Sequence, residues 1–330
     1  MAHYGARADA RHLSPQLEVA KKFLNTEENL PLGVCELVLM YANGFSLYAV
    51  GGINRSHNKI TSVEKYDPTI DKWLAVAAMG ISRSYLGATV LDGMLYAIGG
   101  KDENNILTTV EKYDPATNKW TDVAAMGTER CCFGVTALDG ALYAVGGHDG
   151  NNYLASVEKY DPARNEWAVV APMNTERSNF GVVVLDGALY AVGGIDGNHN
   201  KIASVEKYDP AQDKWMVVTA MGTKRGALGL AVLDDALYAV GGYDEDYHML
   251  SSVEKYDPVT DQWTAAAPMN TKRSNHGVAV LDDAMYAVGG YDINYTFALV
   301  EKYDPMQNTW IVVADMGTKR GGHGMAVLST

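Results

Sequence analysis

The stretch that decides the fold runs from Phe180 to Val218 and reads FGVVVLDGALYAVGGIDGNHNKIASVEKYDPAQDKWMVV. Its first part contains two apolar runs, Phe180–Leu185 and Ala188–Val192, which predict strands. Asp186-Gly187 separates them and suits a two-residue type I′ turn, because both central positions of that turn need a positive φ. Since both runs are apolar throughout, we expect each face of this hairpin to be buried.

The second part of the stretch predicts two further strands. A polar loop follows the Gly193-Gly194 doublet, and Ser204–Tyr208 then alternates polar and apolar residues, as a half-exposed strand does. Asp209-Pro210 turns the chain, and Trp215–Val218 follows as a fourth strand. One unit is therefore four antiparallel strands, with burial greatest in the first two.

This unit recurs six times. Doublets begin, at spacings of 47 or 48 residues, at Gly51, Gly99, Gly146, Gly193, Gly241 and Gly289. Tryptophan keeps the same register and occurs only there, at Trp73, Trp120, Trp167, Trp215, Trp263 and Trp310. An Arg-x-x-x-Gly segment opens each first strand, at Arg83, Arg130, Arg177, Arg225, Arg273 and Arg320. A sheet that is apolar on both faces is not stable alone in water, whereas six such sheets packed radially bury those faces. We therefore predict an all-β fold, a six-bladed propeller with four antiparallel strands per blade.

The phase of the repeat predicts how the ring closes. The first unit begins at Phe45 with its second strand, and the chain ends with Arg320–Leu328, a first strand that no second strand follows. We expect this C-terminal strand to complete the first blade. Glu36–Ala42, followed by Asn43-Gly44, is an alternative with the pattern of a strand and a turn, but it lacks the Arg-x-x-x-Gly segment.

The pattern divides the chain into residues 1–43 and the propeller, residues 44–330. Ser14-Pro15 and the apolar stripe that follows predict a short helix over residues 15–24. We interpret residues 1–43 as an N-terminal extension that contains this helix and the alternative strand.

The doublet, the spaced Tyr and Trp and the period near 48 make residues 45–330 resemble kelch repeats. The order Leu-Tyr-Ala-Val-Gly-Gly, Ser-Val-Glu-Lys-Tyr-Asp-Pro, Trp and Met is most similar to propellers of the Kelch-like family. This resemblance implies a protein–protein interaction module rather than an enzyme, one that binds a partner peptide or protein on the propeller rim. Such propellers are the substrate-recognition domains of cullin–RING ubiquitin ligase adaptors. The alternatives are an actin-binding kelch protein and a kelch-propeller enzyme, either a metal-dependent lyase or oxidase or a sugar mutarotase. A BTB and a BACK domain precede the propeller in Kelch-like proteins, and residues 1–43 are too short for either.

The composition of the chain argues against some classes of partner and location. The 330 residues include 40 acidic and 27 basic side chains, a net charge of −13, which argues against nucleic-acid binding. Three cysteines fit a reducing compartment, and the start of the chain has no apolar signal core, so we expect a cytoplasmic protein. The most apolar run, Val34–Val50, is too interrupted for a membrane span.

Function is sought where the units differ, because a residue repeated in every unit serves a repeated structural role. The units differ most in the loop after each doublet and just after each repeat arginine, and both loop types emerge on one face of a propeller. The resemblance implies that this rim grips the partner. The candidate rim residues are Ile53, Ser84, Lys101, His148, Ser178, Ile195, Tyr243, Ser274 and Tyr291. Tyr243 and Tyr291 are the expected anchors, since tyrosine offers rigid contact area at low entropic cost. Of the residues directly after a doublet only Lys101 is basic, but Lys224, Lys272 and Lys319 precede repeat arginines, so an acidic peptide is one candidate partner.

No catalytic or metal-binding signature is found, so we predict no catalytic residues, no metal and no cofactor. The histidines form no His-x-x-x-His or His-x-His pair. Cys131-Cys132 is interpreted as a filler of an inner strand, although a neighbouring Arg130 would lower a thiol pKa. We expect the repeat arginines to be buried and one set of third-strand glutamates to be exposed, namely Glu64, Glu111, Glu158, Glu206, Glu254 and Glu301. The doublets are expected to permit unusual φ and the close approach of a neighbouring aromatic ring.

Overall fold

The computed structural model describes residues 44–329, which form six four-stranded antiparallel sheets. From the innermost strand outward, blade 1 contains Gly324–Ser329, Phe45–Val50, Val63–Asp67 and Lys72–Val76. Blade 2 contains Gly87–Leu91, Met94–Ile98, Val110–Asp114 and Lys119–Val123, and blade 3 contains Gly134–Leu138, Ala141–His148, Tyr153–Asp161 and Glu166–Val170. Blade 4 contains Gly181–Leu185, Ala188–Val192, Val205–Asp209 and Lys214–Val218, and blade 5 contains Gly229–Leu233, Ala236–Val240, Val253–Asp257 and Gln262–Ala266. Blade 6 contains Gly277–Leu281, Ala284–Val288, Val300–Asp304 and Thr309–Val313, and a two-residue ribbon pairs Arg177–Ser178 with Ile195–Asp196.

The predicted six-bladed propeller and its ring closure are confirmed. Gly324–Ser329 lies beside Phe45–Val50 as the inner strand of blade 1, the place for which Glu36–Ala42 was the alternative. The helix predicted over residues 15–24 and the strand Glu36–Ala42 lie outside the described residues. The hairpin turn is also confirmed, since Asp186 and Gly187 have φ of 50° and 71°.

The apolar core is divided among the interfaces between successive blades. The interface of blades 3 and 4, for example, buries Tyr143 and Val145 against Leu189 and Tyr208. Each repeat tryptophan also bridges to the preceding blade: the indole Nε1–H of Trp167 donates to the carbonyl of Ala124 at 2.9 Å, and all six tryptophans repeat this bond. Each blade is therefore stabilised by its neighbours on both sides.

The repeat arginines are fully buried, as predicted, but the expectation that the third-strand glutamates are exposed is wrong. Arg177 Nη2 lies 2.7 Å from Oε1 of Glu206, and its Nη1 donates to the carbonyl of Gly193 at 3.1 Å. The same carboxylate accepts the backbone N–H groups of Asn174 and Thr175, in the linker that enters blade 4. The six pairs are Arg83–Glu111, Arg130–Glu158, Arg177–Glu206, Arg225–Glu254, Arg273–Glu301 and Arg320–Glu64. Each glutamate is buried because it holds both the arginine and the linker of its own blade.

The Gly-Gly doublets have the positive φ predicted for them, but their tightest contacts differ from the expected aromatic ring. Gly193 and Gly194 have φ of 65° and 102°. A Cβ at Gly193 would lie 2.9 Å from the carbonyl oxygen of Arg225 in the next blade, and one at Gly194 would lie 2.7 Å from the carbonyl oxygen of Ser178. The expected ring is present at Gly146, where an added Cβ would lie 3.0 Å from Cζ of Phe180 in the next blade, but the carbonyl oxygen of Arg177 is closer, at 2.8 Å. Glycine is required here mainly because backbone passes close to backbone.

No helix within residues 44–329 is long and apolar enough to cross a membrane.

Candidate functional site

The candidate rim residues come together in pairs on one face of the propeller. The loop after each doublet forms a backbone bridge to the segment after a repeat arginine. The bridges are Ile53–Gly321, Ser84–Lys101, Cys131–His148, Ser178–Ile195, Gly226–Tyr243 and Ser274–Tyr291. The two variable sets in the sequence therefore form one continuous surface, and binding by it stays a prediction.

Four of the nine candidate residues are buried and therefore do not contribute to the accessible part of that surface. Ser84 and Ser274 are 0% exposed, Ser178 is 2% exposed and Ile195 is 9% exposed, so their side chains lie beneath the rim rather than on it. They are buried because the loop of their own blade pairs across them. Ile53, His148, Tyr243 and Tyr291 are half-buried, and Lys101 is exposed.

The rings of the two tyrosines after the doublets lie against glycines. A Cβ at Gly321 would lie 2.6 Å from Cδ1 of Tyr291, and one at Gly226 would lie 3.1 Å from Cε2 of Tyr243. Other blades have serine or cysteine at this position, at Ser84, Cys131, Ser178 and Ser274. The glycines therefore make room for the tyrosine rings. Tyr291 is further held by Asn275, whose Nδ2 donates to its hydroxyl at 2.7 Å.

More exposed aromatic residues, not singled out from the sequence, surround these two. Tyr247 and Tyr295 are 62% and 63% exposed, and each lies four residues after Tyr243 or Tyr291 in the same loop. The rings of Tyr243 and Tyr247 stack with their centroids 5.6 Å apart. Tyr153 of blade 3 extends the row, because its hydroxyl lies 2.9 Å from Nδ1 of His199 in blade 4. We call the set Tyr153, Tyr243, Tyr247, Tyr291 and Tyr295 the aromatic arc; it covers blades 3, 5 and 6.

The rim loops of blades 1 and 2, residues 53–60 and 101–107, contain charged side chains and no aromatic residue. In blade 1, Lys59 Nζ lies 3.1 Å from Oε2 of Glu103 in blade 2, and Lys101 is exposed beside it. This division breaks the sixfold repeat, and a binding site for one partner needs such an asymmetry.

A closed ring of backbone hydrogen bonds surrounds the mouth of the central channel. One residue of each blade contributes, and all six have positive φ: Tyr85, Cys132, Asn179, Ala227, Asn275 and Gly322. Each N–H donates to the carbonyl of its neighbour in the preceding blade at 2.6 to 3.0 Å. A cavity of about 130 Å³ lies at this ring, and a channel of about 410 Å³ runs between the inner strands. The ring holds the loop bases of all six blades at one level.

Two histidines lie in this throat, where the other blades have Leu86, Phe133, Phe180 and Leu228. His276 and His323 are buried, and neither nitrogen of either ring has a hydrogen-bond partner among residues 44–329. Burial, and next the neighbouring Arg273, lower the pKa of His276 well below 6.5. Burial and Arg320 lower the pKa of His323 to about 3. Both rings are therefore neutral in the folded protein.

We expect the double variant His276→Phe/His323→Phe to lose less stability on acidification than the wild type. The unfolded chain protonates both histidines below about pH 6.5, whereas the folded protein does so only at lower pH. The fold therefore loses stability as the pH falls through this window. At about pH 4.5 the loss from His323 should be on the order of 2–3 kcal/mol. Urea denaturation of both proteins at about pH 7 and pH 4.5 measures the difference, and equal acid losses would contradict the expectation.

The thiol pair Cys131-Cys132 and the acidic loop of blade 5 are weaker candidates for a functional site than the rim tyrosines. The hydrogen bond between the two thiols lowers the pKa of Cys131 and, together with burial, raises that of Cys132. Within residues 44–329, one group of side chains is close enough to share a metal ion, namely Asp244, Asp246 and His248. Oδ1 of Asp244 accepts the backbone N–H groups of Asp246 and His248, so this carboxylate holds its own loop.

Comparison with known proteins identifies the repeat. The Kelch motif model matches residues 46–80, 82–127 and 129–174, and the KLHDC2/KLHL20/DRC7 Kelch-repeats domain model matches residues 179–330. Together they match nearly all of residues 46–330.

Three curated relatives share short segments with this chain. Human Kelch-like protein 5 is 55% identical over 40 residues, which is 12% of this chain and 5% of that protein. An F-box/kelch-repeat protein of Arabidopsis thaliana is 32% identical over 87 residues, 26% of this chain and 18% of the relative. Kelch-like protein 13 of Mus musculus is 36% identical over 63 residues, 18% of this chain and 10% of the relative. Each match thus spans less than a fifth of the relative's length.

A solved structure, that of YjhT, shares the fold. It superposes with a TM-score of 0.69 at 16% identity, covering 80% of this chain and 96% of that one. At this identity the likeness concerns the arrangement of blades alone.

Proposed function

Because the chain is a kelch-repeat propeller that resembles the propeller domains of Kelch-like proteins, we propose that it is a protein-interaction module that binds a peptide segment of a partner on its aromatic arc. The observation that carries the proposal is the concentration of tyrosine, including the exposed Tyr247 and Tyr295, on one side of a rim whose scaffold is otherwise repeated. Exposed aromatic side chains on a rigid support are typical binding hot spots, since little conformational entropy is lost on binding.

The channel between the inner strands offers little for catalysis. Beyond the throat that holds His276 and His323, the described residues that line it are alanine, valine, leucine, methionine and threonine, with no carboxylate, histidine or cysteine among them. A reaction centred in the channel would need titratable or metal-binding groups there. The rim therefore supports the proposal better than the channel supports an enzyme.

The finer form of the proposal rests on the resemblance to Kelch-like propellers. In that form the bound partner is a substrate that the propeller presents to a cullin–RING ubiquitin ligase. The propeller would supply recognition alone, and the contact with cullin would come from a BTB domain.

We expect the double variant Tyr247→Ala/Tyr295→Ala to lose rim binding and keep its fold. Hot-spot aromatics contribute about 2 kcal/mol or more each, so the pair should weaken binding by roughly a thousandfold. The assay selects short random peptides displayed on phage against the wild-type chain and then measures their affinity for both proteins by calorimetry.

The matched control is Val259→Ala/Met306→Ala. These side chains are 91% and 95% exposed and belong to the same two blades, but they lie in the turns between third and fourth strands, at the other end of the sheets. The control should bind like the wild type, and both variants should show unchanged melting curves. Selected peptides that bind equally to the rim variant would place the site elsewhere.

A further inference from the structure

Two loops of the rim carry lysine at the same position of the repeat. Lys59 in blade 1 and Lys201 in blade 4 each bridge back to the first residue of their loop, Ile53 and Ile195. In each case the third residue of the next blade's loop is a glutamate, Glu103 for Lys59 and Glu245 for Lys201. The repeat thus offers both lysines the same acidic partner.

Of the two lysines, only Lys59 forms an ion pair with the glutamate of the next blade. Glu103 accepts both the ammonium of Lys59 at 3.1 Å and its backbone N–H at 3.2 Å. Glu245 instead binds Lys224, whose Nζ lies 3.0 Å from each carboxylate oxygen. Lys224 directly precedes the repeat arginine of blade 5, where blade 2 has Ser82. One extra lysine therefore diverts the carboxylate from Lys201.

Lys201 is left between aromatic rings without an anion. Its Nζ lies 3.4 Å from the ring centroid of Tyr247 and 5.7 Å from that of Tyr243, and the residue is only 4% exposed. Among the residues that the structure describes, no carboxylate lies within ion-pair distance of this ammonium and no atom accepts a hydrogen bond from it. The rings offset part of the cost of burying the charge, and the ammonium itself is not fully buried, so its N–H donors remain within reach of solvent and of an incoming group.

The aspartates that open the two loops hold their own backbone. Oδ1 of Asp196 accepts the backbone N–H groups of Asn198 and Asn200, each at 2.9 Å. Oδ1 of Asp244 accepts two N–H groups of its own loop in the same way. Both aspartates stay negatively charged, but neither forms an ion pair with Lys201. An incoming carboxylate would therefore meet an ammonium with which no residue of the described range 44–329 is paired.

We infer that Lys201 is the anchor for an aspartate or glutamate side chain of the bound peptide, with the exposed Tyr247 packing against the peptide beside it. This inference rests on the proposed function, since it assigns the chemistry of the peptide at the same rim. A carboxylate that binds this partly desolvated ammonium forms a charge-assisted hydrogen bond, which is stronger than one between neutral groups. The difference between Lys201 and Lys59 then has a functional explanation, because Lys201 remains available to pair with a carboxylate of the partner.

The test uses the displayed random peptides described above. Those that bind the wild-type chain should be enriched in aspartate or glutamate, and Lys201→Met should weaken them roughly tenfold to a hundredfold. Changing the contacting peptide acid to its amide should cause the same loss in the wild type and no further loss in Lys201→Met. The control Lys59→Met removes the paired lysine and should have no effect.

A second set of variants separates Lys201 from Lys224. Lys224→Ser installs the residue of blade 2 and frees Glu245 to neutralise Lys201, so acidic peptides should bind more weakly although Lys201 is intact. Lys224→Ser/Glu245→Gln removes the competing carboxylate as well and should restore binding. If binding stays weak in this double variant, Lys224 is the anchor and the inference about Lys201 is overturned.

The two proposals fail in different ways. Peptides that require Tyr247 and Tyr295, but show no acidic enrichment and ignore Lys201→Met, would overturn the role of Lys201 and leave the peptide-binding rim in place. Selection of no peptide that depends on those tyrosines would overturn both. Melting curves of every variant serve as the control that the fold is kept.

Discussion

Removal of residues 321–330 is expected to unfold the propeller cooperatively rather than to trim one strand from it. The strand Gly324–Ser329 is the innermost of blade 1 and packs on both sides. Ala326 and Leu328 are buried against blade 2, while Met325 and Val327 pack towards blade 6. Without this strand the ring opens at two interfaces and exposes the inner edge of Phe45–Val50. We expect a loss of roughly 5 kcal/mol or more in the free energy of unfolding.

Urea and thermal denaturation of the truncated chain measure this loss. Removal of residues 329–330 alone is the matched control, since Ser329 is exposed, and it should change little. A synthetic peptide of residues 319–330 added in trans should restore part of the stability. If the truncated chain melts together with the full-length chain, another segment, such as Glu36–Ala42, can take the same position.

Arg177→Met is expected to lower the free energy of unfolding by about 3–5 kcal/mol, because it leaves Glu206 buried without a counter-ion. Both side chains are fully buried.

The double variant Arg177→Met/Glu206→Gln tests the cause of that loss. Glutamine carries no charge but keeps an oxygen that can accept the N–H groups of Asn174 and Thr175. We expect it to recover most of the stability lost in Arg177→Met, as measured by urea denaturation with an unchanged slope. A double variant no more stable than the single one would show that lost packing of the arginine stem, rather than the unpaired charge, causes the effect.

The sequence predicted only in part which side chains are exposed on the rim. Tyr243 and Tyr291 could be singled out because they follow the doublets, but their neighbours Tyr247 and Tyr295 are the more exposed rings. The signal for the latter was present, since both pairs are four residues apart in loops that differ from the other units. The burial of Ser84, Ser178 and Ser274 was not predictable, because it depends on how each loop folds back over the strand ends.

The sequence by itself determined the number of blades, their four strands and the closing of the ring. These features rest on short-range chemistry that recurs every 47 or 48 residues, such as the Asp186-Gly187 turn and the register of the tryptophans. Only the tertiary structure decided which charges meet. Glu206 was expected in solvent because alternation along its strand cannot show that Arg177, 29 residues away, lies against it. Lys201 and Lys59 hold the same place in the repeat, and only the structure shows that Lys224, where blade 2 has Ser82, reaches Glu245 while Lys59 keeps Glu103. Ion pairs of this kind depend on distances of a few ångström between segments far apart in the chain, and a periodic pattern does not specify those distances.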